Sequence, residues 1–222
     1  MHPSRAKAVE SLLEAYRSGY FPMGDNRTRG PIKWLNPDPR AIIPLDTAHI
    51  PRRVMDRVRS GKFLVTTDQA FVEVMRACAA PRPPPGEQHS WIDERIIEAY
   101  AALHEAGHAH SIEAWLGDGP SRTLVGGLYG VHIGAAFFAE SKFHHAAKGG
   151  TDASKVCLAH LFLHLQRRGF ELLDVQFWNP HLEQFGVIEI PQPQYLARLT
   201  SAIAKSVPWQ PFDGSAKHAA ID

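Results

Sequence analysis

The fold is decided by the stretch 110–141, HSIEAWLGDGPSRTLVGGLYGVHIGAAFFAES. This stretch predicts three strands, because runs rich in apolar, β-branched and aromatic residues are separated by turn residues. The runs cover His110–Trp115, Thr123–His132 and Ala135–Ser141, and Gly117–Pro120 makes the first turn. Consecutive strands without an intervening helix favour an α+β fold over repeated strand–helix–strand units.

Helix and strand patterns flank this stretch on both sides. Ala8–Tyr16 has apolar residues at helical spacing, and Gly19 is a plausible stop for that helix. Two turn-rich segments with embedded aromatic residues follow. The remaining patterns predict a strand at Ala41–Leu45, a strand at Phe63–Thr67, a helix capped by Asp68, a helix at Ile92–Glu105, a helix at Ala153–Arg168, a strand at Glu171–Gln176 and a helix at Gln194–Ser206.

The composition limits the class of protein. The 222 residues include 24 Lys and Arg against 23 Asp and Glu, and 44% are hydrophobic. Disorder and a disulfide-dense scaffold are excluded, and no apolar run approaches the roughly 20 residues of a membrane span. The N-terminus lacks the apolar core of a signal peptide, and the two cysteines match no paired thiol motif. We expect a cytoplasmic protein whose near-neutral charge leaves room for one local basic patch.

Residues 51–62 are the most basic segment of the chain. Arg52, Arg53, Arg57, Arg59 and Lys62 stand against a single aspartate. We place the domain boundary near residue 50, which gives a small N-terminal domain over 1–50 and a larger domain over 51–222. On composition alone, a solvated helix face explains the segment better than a phosphate-binding surface does.

The motif His104-Glu105-Ala106-Gly107-His108 matches the H-E-x-x-H pattern of zinc metalloproteases. That chemistry requires both imidazoles on one helical face. Gly107 is the expected terminator of this helix, so His108 would lie beyond its end. We therefore predict no metal site here.

Asp174 and Gln176 lie at alternate positions of a short apolar strand, 172–176. A regular strand projects both side chains from one face, where burial is costly unless they form hydrogen bonds. They either satisfy nearby loop amides or form a reaction centre in which the carboxylate polarises the amide. Glu140, at the end of another apolar strand, offers a third polar group, and the pattern alone does not choose between these hypotheses.

Several short motifs, taken in order, resemble the leucyl/phenylalanyl-tRNA–protein transferase family from Leu12 to about Leu199. No single motif is specific to this family, but the whole series in this order is. The motifs are Phe-Pro-Met at 21–23, Pro-Asp-Pro-Arg at 37–40, Ser-Trp-Ile at 90–92, His-Ser-Ile-Glu-Ala-Trp at 110–115, Leu-Val-Gly-Gly-Leu-Tyr-Gly-Val at 124–131, Glu-Ser at 140–141, Ala-Ser-Lys at 153–155 and Leu-Asp-Val-Gln at 173–176.

The resemblance implies an enzyme that moves leucine or phenylalanine, with methionine as a minor donor, from a charged tRNA to proteins beginning with Lys or Arg. The new peptide bond marks the acceptor for degradation by the N-degron pathway. It also implies a small N-terminal α/β domain and a larger domain of the GNAT-like acyltransferase fold. No metal or nucleotide cofactor is implied, because the ester already carries the activation. We expect a monomer.

The resemblance also implies the site. Asp174 and Gln176 would form a hydrogen-bonded relay that holds the attacking amine, and Glu140 would position it. Trp34 and Trp91 would stack on the 3′ adenosine, and the cations of 51–62, with Arg82, would hold tRNA phosphates. The amino-acid pocket would use Leu128, Phe137, Leu158, Leu161, Leu165 and Leu173, although the helical spacing of 158, 161 and 165 suits any core helix.

The chain departs from the family pattern at several positions. The family usually has Gly-Glu-Ser-Met where this chain has Ala139-Glu140-Ser141-Lys142. Lys142 therefore places an ammonium group where an apolar pocket wall is expected, and burial would require it to pair, titrate or extend to water. Leu35 replaces a common second tryptophan, and the loop 144–152 is longer than usual. The Gly-Gly-Asp-containing N-terminal segment typical of the family is absent from the sequence given.

Two alternatives stay open at this level. A GNAT-like N-acyltransferase with a small acyl carrier would need a pyrophosphate-binding glycine motif at a helix start, and Gly126-Gly127 instead lie within a strand pattern. A catalytically silent RNA-binding homologue would keep the basic segment and Trp91 but would not need Asp174 or Gln176.

Overall fold

The computed structural model of the protein describes residues 3–81 and 90–212. Its helices are α1 (Pro3–Arg17), α2 (Arg52–Arg59), α3 (Phe71–Ala79), α4 (Glu94–Glu105), α5 (Ala153–Arg168), α6 (Pro180–Glu183) and α7 (Gln192–Ile203). Its strands are β1 (Phe21–Met23), β2 (Lys33–Leu35), β3 (Arg40–Ile43), β4 (Leu64–Thr67), β5 (Ala109–Leu116), β6 (Thr123–Ile133), β7 (Ala136–His144), β8 (Leu172–Gln176) and β9 (Ile188–Ile190).

A seven-stranded sheet in the order β4-β5-β6-β7-β8-β3-β9 forms the centre of the molecule. Strands β4 to β7 form an antiparallel meander, whereas β7 and β8 are parallel. A parallel pair needs a crossover connection, and α5 supplies it between these two strands. The predicted α+β class is confirmed.

Both faces of the sheet are buried by helices. Successive strand residues point to opposite faces, so Phe137 belongs to one apolar cluster and Phe138 to the other. Helices α1, α3, α4 and α7 cover the face of Phe138, while α2 and α5 cover the face of Phe137. Among the described helices, none combines the length and apolar character needed to cross a bilayer.

The predicted elements agree with the structure where local patterns are strong, and α5 has the predicted bounds. The sequence analysis missed β1, β2, α6 and β9, which are three or four residues long. The prediction that Asp68 caps a helix was wrong. The N-cap of α3 is Ala70, and the Asp68 carboxylate instead accepts the Ser111 backbone N–H at 2.9 Å.

Strand β3 connects the N-terminal part of the chain to the central sheet. It pairs with β8 on one side and β9 on the other, so residues 40–43 are an inner strand of the large sheet. The small β1–β2 sheet is separate. The division at residue 50 stays a prediction.

The parallel strands β7 and β8 separate partway along their length. Their pairing runs from Ala136 opposite Leu172 to Phe138 opposite Asp174, and β7 then continues with β6 alone. A bulge on β7 leaves Glu140 as the extra residue, and a second register shift leaves Val175 extra on β8. Bulges bend strands and redirect side chains, and here they lie on both sides of the gap.

Candidate active site

A cavity of about 200 Å³ opens where β7 and β8 separate. One part of its wall is apolar and another carries carboxyl and amide groups. An engineered cavity of about 150 Å³ binds benzene, so this space admits one side chain of moderate size. The lining residues are Trp91, Leu128, Ala139, Glu140, Ser141, Lys142, Leu158, Val175, Gln176, Asn179 and Leu182.

A fully buried ion pair lies beside the cavity, between Arg40 and Asp174. Arg40 donates from Nε to Asp174 Oδ1 at 3.0 Å and from Nη2 to Oδ2 at 2.7 Å. The Tyr195 hydroxyl also donates to Asp174 Oδ2, at 2.7 Å, and Arg40 Nη1 donates to the Gly19 carbonyl at 3.0 Å. Such complete pairing is what allows two charges to stay buried.

Gln176 occupies a sharp turn at the end of β8. Its φ is 60°, and the Phe177 N–H donates to the Val175 carbonyl at 2.7 Å, which together mark a γ-turn centred on Gln176. The Gln176 N–H donates to Asp174 Oδ1 at 2.9 Å and holds this strained backbone in place. Asp174 thus contacts the backbone of Gln176, whereas the predicted relay has the carboxylate polarising its carboxamide.

The carboxamide of Gln176 is held between backbone carbonyls and Glu140. Its NH₂ group donates to the carbonyls of Ala139 at 2.9 Å and Val175 at 3.1 Å. The other end of the amide lies 3.5 Å from Glu140 Oε1. The bulge at Glu140 and the turn at Gln176 together bring these two side chains to one edge of the cavity.

Glu140 is surrounded by tyrosine hydroxyls. Tyr16 donates to Glu140 Oε1 at 2.7 Å and also forms a short hydrogen bond with the Tyr100 hydroxyl. Removal from water raises the pKa of Glu140 to about 8, the Tyr16 hydrogen bond partly offsets this, and the charge of Asp174 adds to the rise. Glu140 is therefore mostly protonated at neutral pH and can donate a hydrogen bond toward the Gln176 amide.

The structure brings together some of the predicted site residues and separates others. Gln176, Glu140, Trp91, Leu128, Leu158 and Lys142 all line the cavity. Four predicted pocket residues are fully buried in the core behind it instead: Phe137, Leu161, Leu165 and Leu173. Trp34 is exposed on β2 and is not among the lining residues, and Arg82 lies outside the described residues.

Sequence reasoning missed residues on both sides of the site. Asn179 and Leu182 line the cavity from the segment after β8, where the Asn179 side chain caps α6 by accepting the His181 N–H at 3.1 Å. The Asn-Pro pair at 179–180 was the available signal for that cap. Arg40 was also missed, although a lone arginine entering the apolar strand 41–43 was a visible anomaly.

The predicted basic surface is formed by α2 and the turn after it. Val54 and Val58 are buried against α5, while Arg52, Arg53 and Arg59 are exposed. Arg57 is part-buried, and Lys62 is exposed and donates to the Gly149 carbonyl at 2.7 Å. The helix therefore presents cations on the side opposite its apolar face.

The His-Glu-x-x-His motif at 104–108 ends its helix as predicted. Helix α4 ends at Glu105 and Gly107 has a φ of 80°, so His108 lies beyond the helix. A different group, Asp68, His104 and His110, has potential ligand atoms within 4.8 Å of one another. Those atoms already form an internal network, because Asp68 Oδ2 contacts His110 Nδ1 at 2.9 Å and accepts from Trp209 Nε1 at 3.0 Å.

Comparison with known proteins identifies similar sequences over most of the chain. Residues 42–200 match the family model described as leucyl/phenylalanyl-tRNA protein transferase, and residues 8–38 match the model of its N-terminal domain. A transferase of this name from Chlorobaculum parvum is 46% identical over 199 residues, which cover 90% of this chain and 97% of that protein. The one from Novosphingobium aromaticivorans is 50% identical over 87% of this chain and 70% of that protein.

A search of solved structures gives a more distant similarity. The structure of L-PGS from Bacillus licheniformis aligns with a TM-score of 0.41 and 14% sequence identity, over 78% of this chain and 55% of that one.

Proposed function

The chain belongs to the leucyl/phenylalanyl-tRNA–protein transferase family, and we propose that its cavity is where the aminoacyl group meets the acceptor amine. The protein is an aminoacyltransferase that moves an amino acid from tRNA to the N-terminus of a protein. The observation that carries the proposal is the cavity itself, whose apolar wall lies beside the Gln176 and Glu140 side chains.

The apolar wall receives the donor side chain. Leu128, Leu158 and Leu182 offer only hydrocarbon, and the volume of about 200 Å³ admits one leucine or phenylalanine side chain. Such a pocket separates apolar from polar amino acids, but a difference of one methylene changes binding by only about 1–3 kcal/mol. Methionine is therefore a minor donor. Trp91, which also lines the cavity, stacks on the terminal adenosine of the tRNA.

The polar wall holds the acceptor. Its uncharged α-amine attacks the ester carbonyl, and the bond between the carbonyl carbon and the ribose oxygen breaks. The proton that the amine loses passes, directly or through water, to that ribose oxygen, which leaves as a hydroxyl group. An α-amine has a pKa near about 8, so a useful neutral fraction exists without a strong base. Gln176 and Glu140 therefore act by holding the amine against the carbonyl, and positioning alone can account for several kcal/mol of the barrier.

The acceptors are proteins that begin with Lys or Arg, as the family resemblance implies, and the protein acts in the cytoplasm, where charged tRNA is available. We also propose that it acts as a monomer. Light scattering of the purified protein tests this state, and a stable dimer would contradict it.

A transfer assay tests the function. Labelled leucine, phenylalanine, methionine and glutamate on their cognate tRNAs are offered to peptides that begin with Arg, Lys, Asp or Ala. We expect transfer of the apolar amino acids to the Arg and Lys peptides only. Gln176→Ala should slow this transfer strongly while charged tRNA still binds. Equal transfer to every peptide, or an unchanged rate in Gln176→Ala, would contradict the proposal.

A further inference from the structure

An exposed aromatic pair follows the active site directly in the chain. Phe177 is 46% exposed and Trp178 is 42% exposed, although large aromatic side chains are normally mostly buried. Their neighbours on both sides, Gln176 and Asn179, line the cavity. Trp178 is two residues from Gln176, so its backbone lies within about 7 Å of the cavity edge.

The local backbone explains why these rings face outward. The γ-turn centred on Gln176 ends β8 abruptly, and the side chain of Asn179 starts α6 three residues later. Phe177 and Trp178 connect the end of β8 to the start of α6 and lie outside the sheet. The Phe177 ring meets the edge of Phe21 with a centroid distance of 5.7 Å, which ties this segment to β1.

The β1–β2 hairpin adjoins this segment through the contact of Phe21 with Phe177. The hairpin also carries exposed cations at Arg27, Arg29 and Lys33, against one acidic residue, Asp25. Exposed rings next to cations are the combination that binds single-stranded nucleic acid, with stacked bases and neutralised phosphates.

We infer that Phe177 and Trp178, with the adjoining hairpin, form a stacking surface for the unpaired nucleotides that precede the terminal adenosine of the donor tRNA. This inference rests on the proposed function and specifies how that site receives its donor. An acyl group held in the cavity places the terminal nucleoside at its mouth, so the next bases of the single strand reach the rings beside Gln176. The positive charge of the hairpin favours RNA over an acceptor that itself begins with a cation.

A donor-length series tests the inference. The donors are phenylalanyl-adenosine, phenylalanyl-CCA and full phenylalanyl-tRNA, each with the same Arg-initiated peptide. For the unmodified protein we expect kcat/KM to rise with donor length. Trp178→Ala should lose about tenfold with the CCA and tRNA donors and remain unchanged with phenylalanyl-adenosine, and Trp178→Phe should recover most of the loss.

Ile188→Ala is the matched control, because Ile188 is a large exposed apolar residue on the edge strand β9 and should change none of these rates. An equal loss of Trp178→Ala with all three donors would overturn the inference. If Trp178→Ala raised only the KM of the peptide, the surface would bind the acceptor and not the donor strand. That result would also overturn the inference. If the unmodified protein transfers from none of the donors, the proposed function fails instead, and the two failures are therefore distinguishable.

Discussion

At the scale of single residues, the buried charge of Arg40 gives Asp174 a structural role in addition to any role in transfer. Asp174→Ala leaves the guanidinium buried without its counter-ion and removes the acceptor of the Gln176 N–H. We expect a loss of about 3–5 kcal/mol in the free energy of unfolding, because breaking one side of a buried pair has this cost. Urea unfolding followed by circular dichroism measures it.

The exposed pair of Arg5 with Glu105 provides the matched control for this prediction. Glu105→Ala should cost less than about 1 kcal/mol, since surface ion pairs are weak. Gln176→Ala removes hydrogen bonds to two backbone carbonyls and should cost about 1–2 kcal/mol, less than Asp174→Ala. If Asp174→Ala proved as stable as these two variants, the ion pair would not have the structural role assigned to it here.

A second prediction concerns the protonation of Glu140. The rate should rise with pH as the acceptor α-amine loses its proton near about 8. In the unmodified protein it should then fall as Glu140, whose pKa is raised to about 8 by burial, loses the proton it donates toward Gln176. Glu140→Gln keeps an N–H donor, so its kcat/KM should rise and level off without falling. The same alkaline decline in both proteins would exclude Glu140 as its cause.

A third prediction concerns Lys142, which lines the cavity where the family has methionine. Replacing the ammonium-bearing side chain by methionine enlarges the apolar wall for the donor side chain. We expect Lys142→Met to raise kcat/KM for leucine and phenylalanine by about tenfold, within the range that apolar pocket contacts supply. Lys142→Gln, which stays polar, is the control. No gain in Lys142→Met would mean that Lys142 does not restrict the pocket.

At the scale of elements, the site depends on strands that depart from regular pairing. The parallel register of β7 and β8 stops at Phe138 and Asp174, and each strand carries one extra residue at that level. A regular sheet would fill the gap with backbone hydrogen bonds and leave no cavity. The irregular positions, 140 and 175, are cavity-lining residues, consistent with bulges occurring next to active sites.

Helix α2 carries the fourth prediction. Reversing Arg52 and Arg53 to Glu leaves Val54 and Val58 packed against α5, so the fold should tolerate the change. We expect weaker binding of charged tRNA and a shallower salt dependence, with the slope of log K against log salt reduced by about 1 for each phosphate that the variant no longer neutralises. Arg76→Glu, a reversal on α3, should change neither. If the slope of log K against log salt did not change in the α2 variant, Arg52 and Arg53 would contact only solvent and not tRNA phosphates.

At the scale of the whole molecule, buried titratable groups make stability depend on pH in two opposite directions. Burial raises the pKa of Glu140 from its ordinary 4.5 to about 8 and that of Glu113 to about 7, so stability is lost as pH rises from about 4.5 toward those values. Burial lowers the pKa of His160 and His164 to about 4, so stability is lost as pH falls below their ordinary 6.5. The two trends offset each other between a pH of about 4.5 and about 6.5, so the free energy of unfolding should be greatest in that range and should fall above it.

Urea unfolding at a series of pH values tests this fifth prediction. Glu140→Gln removes one of the two carboxyl groups and should make the decline above the optimum shallower. An unchanged decline in that variant would show that Glu140 does not bind its proton more tightly in the folded state.

The sequence predicted much of the fold because most elements have strong local patterns. Helix α5 and the strands of the meander have long apolar runs and clear turn residues, and their positions were predicted closely. The short strands β1, β2 and β9 have too few residues for a periodic pattern, so they form only because partners are available. The helical spacing of 158, 161 and 165 could not show that only Leu158 reaches the cavity.

The sequence by itself determined the α+β class, the order of the main elements and the family, because these follow from local patterns and from motifs in a fixed order. The tertiary structure alone decided that Arg40, 134 residues from Asp174, neutralises it, and that Tyr16 contacts Glu140. It also decided that the acid supports Gln176 through the backbone of a γ-turn. These contacts join residues that are distant in the chain. A local sequence pattern does not show which distant side chains become neighbours when the sheet forms.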